Sequence, residues 1–189
     1  MGVYCINAAR NLFHAEPSSI LARGANSGDK RFQKVEEMAA VIMRFPGERL
    51  GTFTCSFGAA DISRYTLGGT KAVLTADPAY EYASAIKYRI MKDGKSNSKT
   101  FPKRDQFAAE ILYFSDCILQ DKEPEPSGRE GLADVRIVRA IYESARTGKT
   151  VDLPDFPHKR WPTLQQEIHR PAHGKPETVN AESASGEAA

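Results

Sequence analysis

Residues 37–57 read EMAAVIMRFPGERLGTFTCSF, from Glu37 to Phe57, and this stretch sets the class of the fold. Glu37 to Phe45 is apolar and partly alternating, Pro46-Gly47-Glu48 is turn chemistry, and Leu50 to Phe57 resumes with Thr and Phe in alternation. Successive side chains of a strand point to opposite faces, so the pattern predicts two strands joined by a tight turn. In Thr52-Phe53-Thr54-Cys55-Ser56-Phe57 one set of side chains goes toward a core, and the other face needs a cover. That requirement predicts a homo-oligomer joined through the sheet face.

Outward from this hairpin the pattern stays β on both sides before it changes. Toward the N-terminus, Ser19-Ile20-Leu21-Ala22 predicts a short strand, followed by a polar, Gly-containing loop from Gly24 to Arg31 that is expected to be mobile. Ahead of Pro17, the residues Val3, Ile6, Ala9, Leu12 and Phe13 recur at steps of three and four, which predicts a helix ending near His14. Toward the C-terminus, Arg64 to Leu67, Ala72 to Thr75 and Ala85 to Met91 predict strands separated by Gly68-Gly69 and Asp77-Pro78. Asp93-Gly94 then turns into a weak strand near Lys99 to Phe101.

After Pro102 the period becomes helical. Phe107, Ile111, Phe114 and Ile118 share one face of a helix that stops before Pro124. Ser127 and Glu130 have capping-box spacing for a second helix carrying Leu132, Val135, Ile137, Val138, Ile141 and Tyr142, with Gly148 as its C-cap. Together these elements predict the α+β class: an open, predominantly antiparallel sheet with helices packed on one face. The expected boundaries are one domain over 1–155 and an extended tail over 156–189, disordered from about Pro171 because its composition cannot offset ordering entropy.

Composition narrows the functional classes. In a chain of 189 residues, Lys and Arg total 26 against 24 Asp and Glu, and a net charge of +2 gives no footprint for nucleic acid or anionic lipid. No segment has the length and apolarity of a membrane span. Cys5, Cys55 and Cys117 are odd in number and set among apolar residues, which suits reduced thiols and a cytoplasmic protein. His169 and His173 have the spacing of a helical metal pair, but Pro171 lies between them and no metal is expected.

Several motifs, in order, carry a resemblance. They are Gly-Val-Tyr-Cys-Ile-Asn at 2–7, Glu36-Glu37 before the first long strand, and Gly69-Thr70-Lys71-Ala72 opening a strand that ends in Asp77-Pro78. The last run from Pro126 through Ser127-Gly128-Arg129-Glu130-Gly131-Leu132-Ala133-Asp134-Val135-Arg136 to Ala140-Ile141-Tyr142-Glu143-Ser144-Ala145. From Met1 to Leu153 the chain resembles the C-terminal, substrate-side half of the glucose-fructose oxidoreductase/inositol dehydrogenase/MocA family of NAD(P)-dependent oxidoreductases. The resemblance implies a Rossmann domain first, with a Gly-rich phosphate loop and a Glu-Lys-Pro lysine at the nicotinamide. Neither motif occurs in these residues, and Gly68-Gly69 lacks the phosphate-loop spacing and precedes a strand. The family also places an aspartate two residues before the position of Gly2, so the chain reads as one begun mid-domain.

The resemblance makes Tyr4 the catalytic residue, the group that exchanges a proton with the substrate hydroxyl. A phenol, with an ordinary pKa of about 10, needs a neighbouring cation for that work. The bland alternative makes Tyr4 a half-buried aromatic at a helix start. Tyr82 matches a family tyrosine that approaches the substrate, against the reading of an ordinary strand aromatic. Asn7 and Arg10, three and six residues beyond Tyr4, could reach a sugar hydroxyl or cofactor phosphate, or Arg10 could form a helix-surface salt bridge.

The function expected is that of a C-terminal fragment of an oxidoreductase acting on a sugar, polyol or related hydroxy compound, inactive without the Rossmann half. NAD or NADP is the cofactor of the parent family, and none is expected to bind tightly to this chain alone. Two alternatives are a non-enzymatic assembly module that oligomerises through its sheet face, and a split enzyme whose Rossmann domain docks in trans.

Overall fold

A computed structural model describes residues 2–157 and 161–172. Its elements in chain order are α1 (Gly2–Phe13), β1 (Ser19–Ala25), β2 (Met38–Phe45), β3 (Arg49–Ser56), β4 (Tyr65–Gly68), β5 (Val73–Ala76), β6 (Ile86–Lys92), β7 (Lys95–Phe101), α2 (Gln106–Leu119), α3 (Gly128–Thr147) and β8 (Val151–Asp152). Short 3-10 turns lie at Lys30–Phe32 and Leu164–Gln166. Every strand pairing is antiparallel, as the sequence predicts. The strands divide between two four-stranded sheets, β3-β2-β1-β8 and β4-β5-β6-β7. They belong to two units, one of residues 2–59, 125–157 and 161–163, the other of residues 60–124 and 164–172.

In the first unit the hairpin of β2 and β3 is the frame. Val41, Met43 and Phe45 alternate inward along β2, meet Ile20 and Ala22 of β1, and are covered by Ile6 of α1 with Ile137 and Ala140 of α3. Both helices of this unit therefore sit on one face of its sheet. Strand β8 pairs only with Ser19 and Ile20, so the edge of β1 continues beyond it. There the Ser144 hydroxyl, fully buried on α3, accepts from the Ala22 amide at 2.9 Å and donates to the Lys149 carbonyl at 2.6 Å. A side chain thus satisfies a backbone donor that no strand reaches.

Helix α3 shows why its two ends lie where they do. The Ser127 hydroxyl accepts from the Glu130 amide, and Gly148 adopts φ 72°, the left-handed cap that a side chain resists. Arg23 donates to the Gly148 carbonyl at 3.2 Å, placing a cation at the negative end of the helix dipole. The expected capping box is only half formed, because the Glu130 carboxylate turns away to Arg10.

The loop expected to be mobile is shorter than anticipated and tied down. β1 runs on to Ala25, Asn26 accepts from the Glu37 amide and donates to the Phe32 carbonyl, and the Glu37 carboxylate accepts from the Ser27 amide at 2.7 Å. Hydrogen bonding from Ser27 holds Glu37 below the usual carboxylate range, and the Arg31 charge adds a smaller pull in the same direction.

In the second unit β6 and β7 form the expected Asp-Gly hairpin, with Asp93 at φ 49° and Gly94 at φ 71°, the backbone of a type I′ turn. Strand β7 is longer than the weak strand predicted, because the turn registers all seven of its residues against β6. Helix α2 is capped by Asp105, which accepts from the Ala108 amide at 2.9 Å.

Just beyond Leu153 the chain stays bound to the first unit, to which residues 154–157 and 161–163 belong. Arg129 donates to the Pro157 carbonyl, Arg136 to the Pro154 carbonyl, and both guanidiniums flank the Phe156 ring at 4.6 and 4.4 Å. Thr163 donates through its amide to the buried Glu125 at 2.6 Å. Of the tail expected to be disordered from about Pro171, Pro171 itself forms an antiparallel bridge with Arg104, and residues 173–189 lie outside the described residues.

Candidate functional site

Helix α1 has two unlike stripes. Ile6 and Arg10, four residues apart, are buried, while Tyr4 and Asn7, three apart, are exposed, Tyr4 at 60%. The Tyr4 phenol is thus carried outward on the first turn, and the opposite stripe fixes the helix. It is more exposed than the half-buried aromatic of the bland reading.

That fixing is ionic. The Arg10 guanidinium donates to Glu16 at 2.9 and 2.8 Å, to Glu130 at 3.0 Å and to Asp134 at 2.6 Å. Arg10 is 1% exposed, and the Trp161 ring lies 5.8 Å from it, edge-on to His14 at the same separation. Burial alone would lower the pKa of Arg10, but the hydrogen bond and charge of Glu16, with Asp134, lift it above its ordinary value. Among the described residues, three carboxylates converge on the Arg10 guanidinium. Burial pushes Asp134 up and the like charge of Glu130 adds to it, while Arg10 and Asn7 only partly oppose this.

Asp134 brings two of the expected site residues together. Its second oxygen accepts from the Asn7 amide group at 3.5 Å while its first holds Arg10. The expectation that Arg10 reaches a sugar hydroxyl or cofactor phosphate is corrected here. Its guanidinium is turned inward and engaged by three carboxylates, and the ion pair anticipated at the helix surface is buried instead. Arg10 therefore positions α1.

Tyr82 belongs to the second unit, in the segment between β5 and β6 rather than in a strand. It is 60% exposed and meets Phe107 edge-on at 5.7 Å. Ser63 anchors this segment, accepting from the Ala79 amide through its carbonyl and from the Tyr80 amide through its hydroxyl.

The residues present do not fit a dinucleotide. Gly69 donates to the Ala72 carbonyl at 2.9 Å in the turn between β4 and β5, and no βαβ unit occurs among the described residues. A cavity of about 220 Å³ in the first unit, beside Val3 and Ile6, is lined mainly by apolar residues with Glu36 and Glu37 at one side. Neither Tyr4 nor Asn7 lines it. The described residues contain no cluster able to hold a metal, His169 lies beside Arg104 and Glu167, and His173 is outside them. All three cysteines are free thiols.

Comparison with known proteins decides the family. The model described as "Oxidoreductase family, C-terminal alpha/beta domain" matches residues 1–153. The chain belongs to this oxidoreductase family. Among other members, a D-xylose 1-dehydrogenase (NADP+) of Haloarcula marismortui is 28% identical over 153 residues, 81% of this chain and 42% of that protein. The solved aldose-aldose oxidoreductase of Caulobacter crescentus, complexed with glycerol, is 33% identical with a TM-score of 0.73, over 80% of this chain and 46% of that one. An oxidoreductase of Agrobacterium radiobacter in complex with NAD+, L-tartaric acid and magnesium has a TM-score of 0.65 at 17% identity, over 80% and 47% of the two chains, a likeness of fold alone. The family domain described here thus spans a little under half the length of the relatives it matches.

Sequence reasoning missed Asp134, Glu130 and Glu16 as the set that holds α1. Glu16 stands six residues from Arg10, but Asp134 stands 124 away, beyond any local spacing rule.

Proposed function

We propose that this chain supplies the substrate side of an oxidoreductase acting on a sugar or polyol, with Tyr4 as the group that takes the hydroxyl proton. The observation that carries the reading is the outward Tyr4 phenol on a helix locked from behind by Arg10 and Asp134. Names of matched relatives support the substrate class, since one is a xylose dehydrogenase and another an aldose-aldose oxidoreductase.

In this reading Tyr4 would act as a phenolate, kept so by a cation held outside these residues: its oxygen takes the substrate O–H proton, the C–O bond becomes a carbonyl, and the carbon-bound hydrogen leaves with its electron pair. Its acceptor is held outside these residues, and two matched proteins are described with NADP+ or NAD+. Asn7, oriented by Asp134, offers a hydrogen bond to a second hydroxyl; Tyr82, in the other unit, is by itself a candidate sugar-binding residue, with a phenol and an exposed ring face. A Rossmann half, on the same polypeptide or docked in trans, completes the enzyme, and the reduced thiols suit the cytoplasm.

The test is a chimera carrying the unmatched part of the Haloarcula D-xylose 1-dehydrogenase ahead of this chain. NADP+ reduction is followed with D-xylose and other aldoses, beside the 189-residue chain alone. Turnover by the chimera and none by the chain supports the reading. Turnover of about 1 per second by the chain alone defeats it.

A second reading, an assembly module, draws on the outer face of the first sheet, where Ile42 and Leu50 are exposed. Loss of self-association in Ile42→Glu supports that interface.

A further inference from the structure

Residues 154–157 and 161–163 lie past the matched family domain, which ends at residue 153, yet they belong to the first unit. They grip α3 and its approach at two places. Arg136 and Arg129 donate to the carbonyls of Pro154 and Pro157, with Phe156 against both guanidiniums. Thr163 binds the buried Glu125, just ahead of α3, through its amide at 2.6 Å and its hydroxyl at 3.2 Å.

Trp161 stands between these attachments in the chain. The Arg10 guanidinium lies over its ring at 5.8 Å, and the ring meets His14, the residue after α1, edge-on at the same separation. Helix α1 is thus held to α3 twice. Glu130 and Asp134 of α3 take Arg10 directly, and Trp161, flanked by segments anchored on α3, lies on the same guanidinium and at the end of the same helix.

Water weakens an exposed ion pair by screening and by letting the side chains wander, whereas a dry pair keeps its geometry. Arg10 is 1% exposed, drier than its partners Glu16, Glu130 and Asp134 at 12, 14 and 15%. The driest member of the cluster is the one the indole lies on.

We propose that Trp161 is a positioning residue: by closing the Arg10 cluster it fixes α1 on α3, and so the direction in which Tyr4 is presented. The part concerning Tyr4 rests on the catalytic reading above, and the part concerning α1 does not.

Trp161 is the one tryptophan among the 189 residues, so fluorescence reads the contact itself. Emission of the native chain should lie to the blue of the urea-unfolded chain. It should move toward the unfolded value in Arg10→Ala and stay in place in Arg44→Ala, which removes the exposed pair with Glu48. Unfolded-like emission in the native chain, or emission indifferent to Arg10→Ala, overturns the proposal.

Hydrogen exchange tests the action on α1. Trp161→Ala should speed exchange of the α1 amides by about tenfold, Trp161→Phe by less, and Trp161→Ala should add little once Arg10→Ala is present. No increase, or an equal increase in both backgrounds, is the contrary result. In an active chimera, Trp161→Ala should lower kcat by about tenfold or more with a smaller change in KM, and Trp161→Phe should restore most of it. A folded variant with native kcat breaks the link to Tyr4. An inactive chimera counts against the catalytic reading, and exchange alone then decides whether Trp161 fixes α1.

Discussion

Arg10 of α1 and Asp134 of α3 meet at 2.6 Å across 124 residues of sequence, and the same carboxylate reaches Asn7. The bond joins the helix that presents Tyr4 to the long helix packed on the sheet. Stability of the first unit and placement of its candidate catalytic residue therefore depend on one cluster.

Replacing Arg10 by alanine takes the guanidinium away from Glu16, Glu130 and Asp134. Removing one side of a buried ion pair costs about 3–5 kcal/mol, and urea unfolding should show a loss of that size. Arg10→Lys should recover only part, because an ammonium cannot reproduce the fork. A loss within experimental error for Arg10→Ala would refute the cluster's role.

Asp134 should make the first unit less stable as pH rises. Its folded pKa lies above the ordinary carboxylate value, so the folded state holds the proton more tightly than the unfolded one. The favourable contribution is complete below the unfolded value, about 4, and is lost as pH climbs through the folded value. Asp134→Asn keeps an acceptor for Arg10 and removes this dependence. Denaturation midpoints taken from acid to neutral pH should show the native chain losing ground against the variant, and the reverse trend would contradict the sign.

Gly148→Ala should destabilise the chain by about 1–2 kcal/mol, the cost of a side chain in the left-handed region. The new methyl meets the Arg23 guanidinium at 3.4 Å, the near edge of ordinary van der Waals contact, so the backbone conformation carries the cost. Thermal unfolding reads this directly, and a stabilised variant would mean that the cap is not left-handed.

Phe156→Ala removes the ring between Arg129 and Arg136 and should cost about 1–2 kcal/mol. Proteolysis after Leu153 should become faster in the variant. Equal cleavage rates would show that the segment is not held there.

Tyr4→Phe deletes one oxygen from an exposed side chain, so stability should hardly change. In the active chimera, loss of a general acid–base group lowers kcat by about 10²- to 10⁴-fold. Near-native turnover would remove Tyr4 from the proton transfer.

Legibility in the sequence followed the range of the forces. Strand β2 and its turn into β3 could be read because alternation and a Pro-Gly-Glu turn act within a few residues, and helix α3 because Ser127 and Gly148 mark its ends. The same local logic erred on Glu130, which the capping box claims for the Ser127 amide but which Arg10 draws away. A full charge outcompetes a neutral donor, and no spacing rule sees it coming.

The sequence by itself determined where the helices and strands lie, which faces are apolar, and the family to which the motifs belong. These follow from backbone preferences and side-chain periods that neighbouring residues impose on each other. Only the tertiary structure decided that the strands form two sheets, that Arg10 is an internal anchor rather than a substrate ligand, and that the apolar face of α2 stands open. Those outcomes depend on which distant groups meet, and burial, not sequence distance, sets the strength of what happens when they do.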